Sequence, residues 1–437
     1  MNLQSIILGA GMTGLAAGVT SGMPIFEAAS VPGGICASYY IRPGAEMVTH
    51  EAPADGEAYR FEIGGGHWIF GADSCIRRFL EQHAGVKQHE RVSSVYFRKK
   101  RLSIPYPLQN HLRYLDDRCL AQALKEIVQP QKAFSTMRDW LETNFGTTLC
   151  KLFFFPFHEY YTAGLYPRIA PQDAYKSPVN LTDVIHGAFS DVTPVGYNTT
   201  FLYPDSDLSV LAGKLASHCT IQYEKRAVVI EPHNKHVIFS DNTQVSYDTL
   251  ISTLPLNMML ELTGISLDIQ PDPCTSVLVL NIGAVKGAAC PVEQWLYHPD
   301  SRSGFHRIGF YSHVDPSFLP KASRKAQDRV AIYVERAFPH GQRLTDEATQ
   351  RYGQDVIREL QEWQFIGDVE VVHPTWIDVA YTWAWPNSDW RQRALLALEA
   401  HDIYQVGRYG QWRFQGIANS LREGLLTGAS LKQYYAS

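Results

Sequence analysis

Short apolar runs separated by glycine-rich turns open the chain. The run SIIL at 5–8 precedes a glycine turn, an alanine-rich segment follows the turn, and IFE at 25–27 closes the unit. A buried strand, a tight turn, a helix and a second strand are the parts of the βαβ unit that binds dinucleotides. The first part of the chain is therefore predicted to begin a parallel sheet.

The periodicity changes twice in the rest of the chain. The stretch from about 116 to 163 is helix-like and carries the aromatic run LFFFP at 152–156, which predicts an inserted substrate domain. Short alternating strands return from Ile221 onward. The predicted later strands are 227–231, 237–239, 245–252, 274–282, 330–334 and 403–406, and a helix is predicted from about 418.

The order of these elements predicts an α/β protein whose chain crosses between domains more than once. A length of 437 residues suggests two or three domains. We expect a Rossmann-type nucleotide domain, a helical inserted substrate domain, and a substrate domain with an antiparallel or mixed sheet. The nucleotide domain is assigned residues 1–100, 196–265 and 396–437, the helical domain 101–195, and the sheet-containing domain 266–395.

Composition and charge narrow the range of partners. A formal net charge of −5 gives no long-range attraction to nucleic acid or anionic lipid. The 7 cysteines are scattered without metal-ligand spacing, so we expect reduced thiols, no metal and a cytoplasmic location. No apolar run approaches the roughly 18 residues of a membrane span. These features favour a small-molecule partner.

The glycines at 9–14 form a G-x-G-x-x-G motif between the first strand and the first helix. Gly9, Gly11 and Gly14 would allow a tight turn, the approach of a pyrophosphate to the backbone, and close packing of helix on strand. Helix N–H groups would then face the anion. Glu27, at the end of the next strand, is placed to accept hydrogen bonds from a ribose hydroxyl. The alternative is a chance glycine turn in another α/β fold.

A second glycine pair follows Glu27, within PGGICAS at 32–38. Gly33, Gly34 and Ser38 at this place resemble the extended fingerprint of the amine oxidase, protoporphyrinogen oxidase and sugar-nucleotide mutase flavoproteins. The resemblance implies FAD in preference to NAD, in a glutathione-reductase-like FAD-binding domain. The hairpin that begins at 227 is similar to one in that class, where Val228 would lie beside the adenine. A purely structural hairpin is the alternative.

Further motifs resemble those of UDP-galactopyranose mutase and span most of the chain. They are FEIGGGHWIF at 61–70, IPYPLQN at 104–110, WLYHP at 295–299, FHR at 305–307, GRYGQW at 407–412, and the segment 198–204 with the helix after it. Because the motifs are widely separated, the resemblance does not depend on the dinucleotide motif alone.

Two of these motifs imply flavin contacts. Gly66 and His67 lie in the loop that resembles the one placing a histidine against the flavin, and His67 is expected to be catalytic. Glycines beside it would let the backbone approach an isoalloxazine ring closely. Gly407 and Arg408 begin the motif whose arginine holds FAD in the family. A histidine satisfied within a strand turn and an ordinary surface arginine are the structural alternatives.

Other motifs imply substrate contacts. Arg307 would bind the substrate diphosphate and act in catalysis, since a guanidinium fork can bind two oxygens at once. Tyr106 and Gln109 would contact the uracil, although they could instead stabilise a proline-rich turn. Tyr297, in the strand motif before Arg307, is also expected to bind substrate.

The chain departs from the mutase pattern near the substrate phosphates. Phe414 stands where the family has a phosphate-binding tyrosine, and WAWP at 383–386 stands where it has Y-x-Y-P. His158 replaces an asparagine of the family at the substrate site. The family's flexible-loop arginine has no secure counterpart, and Arg168 or Lys176 could substitute for it. The phosphate-sugar part of the site is therefore expected to be altered.

The resemblance leaves competing functions open. The first is pyranose/furanose isomerisation of a nucleotide sugar by reduced FAD, with NAD(P)H or a redox protein as reductant. The second is FAD-dependent oxidation of an apolar or amine substrate, as in protoporphyrinogen oxidase or amine oxidase. Trp383, Trp385, Trp390 and Trp412 favour the second, because a flat apolar substrate needs aromatic walls. A flavin-binding scaffold without activity is the third.

Overall fold

The computed structural model describes residues 5–129, 133–172, 180–191 and 199–436. Two positions named in the sequence analysis, Lys176 and residue 198, lie outside these ranges. The strands are β1 Ser5–Leu8, β2 Ile25–Phe26, β3 Ser38–Ile41, β4 Tyr59–Glu62, β5 Val86–Glu90, β6 Ser93–Phe97, β7 Leu102–Pro105, β8 Thr200–Pro204, β9 Ile221–Gln222, β10 Ala227–Glu231, β11 His236–Phe239, β12 Gln244–Ser246, β13 Thr249–Ser252, β14 Cys274–Lys286, β15 Trp295–Tyr297, β16 Arg307–Phe310, β17 Arg329–Pro339, β18 Ile366–Thr382 and β19 Ile403–Gln405.

Helices cover both sheets and form most of the middle region. They are α1 Met12–Ser21, α2 Ser74–His83, α3 Asp117–Ile127, α4 Met137–Leu149, α5 Phe155–Tyr161, α6 Leu181–Phe189, α7 Leu208–Ala216, α8 Leu256–Thr263, α9 Tyr311–Val314, α10 Ser323–Ala326, α11 Asp346–Glu362, α12 Trp390–Glu399, α13 Gly407–Gly410 and α14 Ile417–Ala436. A π-helical turn, Cys150–Phe154, joins α4 to α5.

A parallel sheet organises the nucleotide-binding part of the fold. Its strand order is β19-β13-β1-β2-β9, and the neighbouring strands all run parallel. Ile6 and Ile7 of the central strand β1 are fully buried. Ile7 lies in the core with α1, and Ile6 lies in the core that the three-stranded sheet β10-β11-β12 shares with α8 and α12. The predicted Rossmann-type α/β fold is confirmed.

A mixed sheet forms the second layer. Its order is β18-β14-β17-β16-β15-β6-β7, in which β15 and β6 pair in parallel and the other neighbours are antiparallel. The helix α11 packs on one face through Tyr352, Val356 and Leu360. This sheet and the helical middle region agree with the predicted fold class. The predicted domain boundaries at 100, 195, 265 and 395 stay a proposal.

The middle region is not one helical stretch. α3 ends at Ile127, α4 begins at Met137, and Gly146 interrupts α4 with a non-helical φ of 73°. A π-helical turn adds a residue to the helix and changes the face that the following residues present. Phe145 and Phe154 stack at 4.0 Å in the core between these helices.

The predicted strand at 245–252 is two strands that belong to different sheets. β12 pairs antiparallel with β11 in a three-stranded sheet, whereas β13 pairs in parallel with β1. The turn between them is fixed by the backbone N–H of Tyr247, which donates to the Lys235 carbonyl. One straight strand could not pair with both β11 and β1, which belong to different sheets.

The sequence predicts neither a membrane-spanning segment nor a metal site. No helix there combines the length and apolarity that crossing a membrane requires. No group of three or more His, Cys, Asp and Glu side chains in those ranges is arranged to hold a metal ion.

Candidate active site

One cavity of about 780 Å³ connects the parallel sheet to the helical region. Gly9, Gly11 and Glu27 of the dinucleotide-type turn line one part of it. Trp140 of α4 and Phe157 of α5 line another part. The βαβ unit and the predicted substrate domain therefore face one shared space.

The carboxylate of Glu27 is fixed beside the glycine turn. Its Oε2 accepts a hydrogen bond from the Ala10 backbone N–H at 2.6 Å, and its Oε1 accepts one from the Ala29 backbone N–H at 2.8 Å. Each carboxylate oxygen can accept a further hydrogen bond. A ribose hydroxyl in this part of the cavity would meet a preorganised acceptor.

Gly14 lets α1 pack directly behind the turn. A Cβ atom at this position would lie 1.9 Å from the Gly9 carbonyl oxygen, so no larger residue fits without a shift. Met12 and Thr13 of the first helical turn line the cavity together with Gly11. A helix N-terminus beside glycine backbone provides N–H donors for an anion. These residues fit the pyrophosphate of a dinucleotide.

His67 lines the cavity as a neutral side chain. Burial lowers its pKa to about 4. Its Nδ1 lies 2.9 Å from the Gly65 carbonyl oxygen, which can only accept, so Nδ1 carries the proton and Nε2 is an acceptor. At neutral pH His67 can therefore accept a hydrogen bond from a ligand.

Arg307 enters the cavity as half of an ion pair. Its Nε and Nη2 donate to the two carboxylate oxygens of Glu335 at 3.0 and 2.6 Å, and His306 Nε2 lies 3.5 Å from the same carboxylate. Burial opposes ionisation of Glu335, but the charge of Arg307 and the contact with His306 outweigh burial and lower the Glu335 pKa to about 2. The remaining guanidinium N–H groups can meet a ligand, although Glu335 already balances the charge.

An aromatic pocket lies at the side of α5. The rings of Tyr106 and Tyr297 are 4.7 Å apart, and Phe157 meets Tyr297 edge-on at 5.5 Å. His158 Nδ1 is 2.7 Å from the Phe154 carbonyl oxygen, and burial lowers the His158 pKa to about 4. The His158 Nε2 is thus a hydrogen-bond acceptor. This pocket suits a planar group that carries an N–H donor.

Arg408 is covered by aromatic rings. Its Nη2 donates to the Ala380 carbonyl oxygen at 3.0 Å, and its guanidinium lies 4.6 Å from the Phe414 ring centre and 5.6 Å from that of Tyr381. These residues all line the cavity. Cation–π contacts of this kind stabilise a guanidinium in a partly dry site. Phe414 contributes an aromatic ring to this wall and lacks the hydroxyl group that a tyrosine would carry.

Most of the residues selected from the sequence meet at this cavity. Those that line it are Gly9, Gly11, Glu27, Gly33, Gly34, Gly66, His67, Tyr106, His158, Tyr297, Arg307, Gly407, Arg408 and Phe414. Among the described residues, Gly14, Ser38, Gln109 and Val228 were selected but do not line it. Trp383 lines it as well, whereas Arg168, Trp385, Trp390 and Trp412 do not. Gly14 acts through packing, as its predicted role requires.

Ser38, Gln109 and Val228 lie outside the lining of the cavity. Ser38 is buried, and its backbone N–H donates to the Ser209 hydroxyl. Gln109 is 1% exposed, in a short 3-10 turn, which is the structural alternative considered for it. Val228 is 43% exposed on β10. Their proposed ligand contacts stay predictions.

Two charged residues of the wall were missed by the sequence analysis. The guanidinium of Arg91 lies 5.0 Å from the Tyr106 ring centre, and nothing in the local sequence marks this arginine. Glu335 had a usable signal, because it follows the apolar run VAIYV at 330–334 in a predicted strand. A carboxylate in a buried strand needs a partner, and here the partner is Arg307.

Comparison with known proteins defines the class of fold. No protein-family model matches the sequence. Solved structures of several enzymes match nearly the whole chain in fold at low sequence identity.

The fold is similar to that of UDP-galactopyranose mutase. A crystal structure of reduced UDP-galactopyranose mutase matches with a TM-score of 0.84 and 21% identity over 99% of this chain and 96% of that one. A protoporphyrinogen oxidase-like protein from Exiguobacterium sp. 255-15 matches at 0.70 and 14%, covering 99% of each chain. An engineered putrescine oxidase matches at 0.54 and 13%, covering 98% of each chain. The predicted resemblance in fold is confirmed.

Proposed function

We propose that the protein is a FAD-dependent enzyme that isomerises a nucleotide sugar between its pyranose and furanose forms with reduced flavin. The observation that carries this proposal is the single cavity shared by the dinucleotide-type turn, His67 and Arg307. A flavin at the turn and a sugar diphosphate at Arg307 would meet in one space. The likeness in fold to reduced UDP-galactopyranose mutase supports the same assignment.

FAD fits the residues present at the β1–α1 turn. Glu27 offers a fixed acceptor to the ribose, and the N-terminus of α1 offers N–H donors to the pyrophosphate. When bound, reduced FAD would supply the covalent chemistry at the anomeric carbon of the sugar. The protein residues bind and orient the substrate around it.

Each part of a nucleotide sugar has a matching residue. The free N–H edge of Arg307 would hold the diphosphate, and Tyr106 with Tyr297 would flank the base. The His158 Nε2 would accept an N–H of the base, and the His67 Nε2 would accept a hydrogen bond from the flavin or a sugar hydroxyl. Orientation of this kind accounts for the protein's share of the catalysis.

Turnover of UDP-sugars by the reduced holoenzyme tests the proposal. Dithionite-reduced protein is incubated with UDP-galactopyranose or UDP-galactofuranose, and the products are separated by chromatography. We expect interconversion of the two sugars without net oxidation. Failure to convert any UDP-sugar would contradict the proposal.

A variant of Arg307 tests the diphosphate contact. Arg307→Ala should weaken UDP binding by tenfold or more, because a charge-assisted hydrogen bond contributes about 1.5–3 kcal/mol. Arg329→Ala is the matched control, since Arg329 forms a similar pair with Glu370 away from the cavity. Isothermal titration with UDP measures both variants. Equal affinity in the wild type and Arg307→Ala would remove the assigned role.

Net oxidation is the second candidate, and specific contacts favour it. Glu335 balances the charge of Arg307, and Phe414 places a ring over Arg408 where the mutase pattern has a hydroxyl. Such walls suit a flat apolar or amine substrate better than a dianion. Steady peroxide production from such a substrate, without UDP binding, would favour this reaction.

A further inference from the structure

The cavity-facing loop 62–67 is closed on itself by the side chain of Glu62. Glu62 ends β4 and is fully buried. Its Oε2 accepts a hydrogen bond from the His67 backbone N–H at 3.0 Å, and its Oε1 accepts one from the Tyr203 hydroxyl at 2.8 Å. One side chain therefore joins the two ends of the loop that presents Gly66 and His67 to the cavity.

The same loop packs on the ion pair of Arg307. Gly65 has a φ of 80°, and a Cβ atom there would lie 2.9 Å from Glu335 Oε1. Glu335 in turn holds Arg307 through both carboxylate oxygens. A shift of the loop would consequently move His67 and disturb the pair that faces the substrate.

Residues behind the loop hold Glu62 in place. Arg60 Nη2 donates to the Tyr203 hydroxyl oxygen at 3.3 Å, and Arg60 Nη1 donates to Asp207 Oδ2 at 3.3 Å. Asp207 caps α7 by accepting a hydrogen bond from the Val210 backbone N–H. Because these polar groups are buried and bonded to one another, they define one position for the Glu62 side chain.

We propose that Glu62 is a positioning residue for the flavin-facing wall, because its carboxyl group fixes the His67 Nε2 acceptor and, through Gly65, the Arg307–Glu335 pair. The inference requires FAD to bind in the cavity, and it does not depend on whether the reaction is isomerisation or oxidation.

The ionisation of Glu62 should change the visible spectrum of bound flavin, which gives a test specific to this residue. Burial raises its pKa to about 8, so a negative charge develops behind the loop in mildly alkaline solution. The titratable and charged groups that face it are Cys36, Arg60, His67, Tyr203, Asp207 and Tyr311. Bound flavin should respond to the new charge with a change in its visible spectrum.

Two substitutions of Glu62 separate positioning from general stability. Glu62→Met removes both acceptors at similar length, and we expect FAD to dissociate about tenfold more readily, as loss of a buried acceptor implies. Glu62→Gln retains an acceptor and should bind FAD nearly as well as the wild type. Its spectrum should not change near pH 8, whereas that of the wild type should.

Glu359→Met is the matched control. Glu359 is also a buried carboxylate that accepts backbone hydrogen bonds, from Arg302 at 2.8 Å and Ser303 at 2.9 Å. Neither of these partners lines the cavity, whereas His67, the partner of Glu62, does. This variant should lower the melting temperature and leave FAD affinity unchanged. An equal loss of FAD affinity in Glu359→Met and Glu62→Met would overturn the inference.

Further outcomes decide the remaining cases. If Glu62→Met does not fold, Tyr203→Phe removes one of the two hydrogen bonds and should show a smaller loss of FAD affinity. Unchanged affinity in a folded Glu62→Met, or in Tyr203→Phe, would overturn the inference. A spectral change near pH 8 that persists in Glu62→Gln would do the same. Wild-type protein that binds no FAD would contradict the proposed function itself.

Discussion

Two side chains decide how the cavity receives a phosphate group. Arg307 offers guanidinium N–H groups whose charge Glu335 balances. Phe414 lies over Arg408 and adds ring surface. The wall near the expected diphosphate thus combines guanidinium groups with aromatic rings, so a single added hydroxyl should change phosphate binding measurably.

Phe414→Tyr should tighten UDP binding. The new hydroxyl would stand where the mutase pattern has a phosphate-binding tyrosine, and one hydrogen bond contributes about 0.5–1.5 kcal/mol, or roughly twofold to tenfold in affinity. Titration with UDP measures the change. Phe189→Tyr, on an exposed side chain of α6, is the control and should have no effect. Weaker binding in Phe414→Tyr would count against a phosphate at this wall.

Glu335→Gln should lower the free energy of unfolding. The carboxylate is 2% exposed, and its removal leaves the Arg307 guanidinium without a counter-charge, at a cost of about 1–3 kcal/mol. Glu362→Gln breaks the exposed pair with Arg302 and should cost about 0–1 kcal/mol. Urea unfolding measures both. Similar losses in the two variants would show that Glu335 does not hold a buried charge.

The sequence predicted site residues correctly where they lie close together along the chain. The glycines at 9–14 and Glu27 belong to one βαβ unit, so their meeting at the cavity follows from chain order. Glu335 meets Arg307 because β16 and β17 pair in a register that places these residues opposite each other. Such a register depends on the assembled sheet, and a single sequence does not reveal it.

At the scale of elements, the contact of α1 with the turn after β1 controls the dinucleotide part of the cavity. Gly14 sits where helix and backbone approach most closely. The turn is also held by Gly33, whose backbone N–H donates to the Ala10 carbonyl oxygen. Displacement of α1 should therefore impair FAD binding before it unfolds the protein.

Gly14→Ala tests that contact. The added methyl group would lie 1.9 Å from the Gly9 carbonyl oxygen, so α1 must move, and overpacking of this kind costs about 1–3 kcal/mol. We expect reduced FAD content in the purified protein. Gly213→Ala in α7 has nothing within 4 Å and should be neutral or stabilising. Full FAD content in Gly14→Ala would show that the turn does not hold the cofactor.

Sequence patterns located elements better than their ends. The strand predicted at 245–252 hides a turn at Tyr247, and the two strands on either side of the turn pair with different sheets. The helical stretch at 116–163 hides Gly146 and a π-helical turn, which adapt the helices to tertiary packing. The local periodicity of the sequence does not reveal which strands pair or how the helices pack.

At the scale of the whole molecule, buried titratable groups connect the cavity to stability. Burial lowers the pKa of His67 and His158 to about 4 and that of His298 to about 3. Burial raises the pKa of Glu62 to about 8. The native and unfolded chains therefore bind different numbers of protons over much of the accessible pH range.

Stability should be greatest near pH 6.5. Below the ordinary histidine pKa of 6.5, the unfolded chain binds protons that buried histidines such as His67, His158 and His298 do not bind in the native state, so stability falls as the pH falls. The effect of these histidines outweighs the opposite effect of the single carboxyl group of Glu62. Above pH 6.5, native Glu62 keeps a proton until about pH 8 that the unfolded chain has lost, so stability falls as pH rises. Melting temperatures across this range measure both slopes. A curve that rises steadily to pH 8 would be inconsistent with a buried, protonated Glu62.

The content of bound flavin tests the central claim most directly. The protein is purified, incubated with FAD, freed of excess cofactor by gel filtration, and scanned in the visible range. The account predicts an absorption band at roughly 450 nm with about one flavin per chain. Protein that remains colourless after this treatment would contradict it.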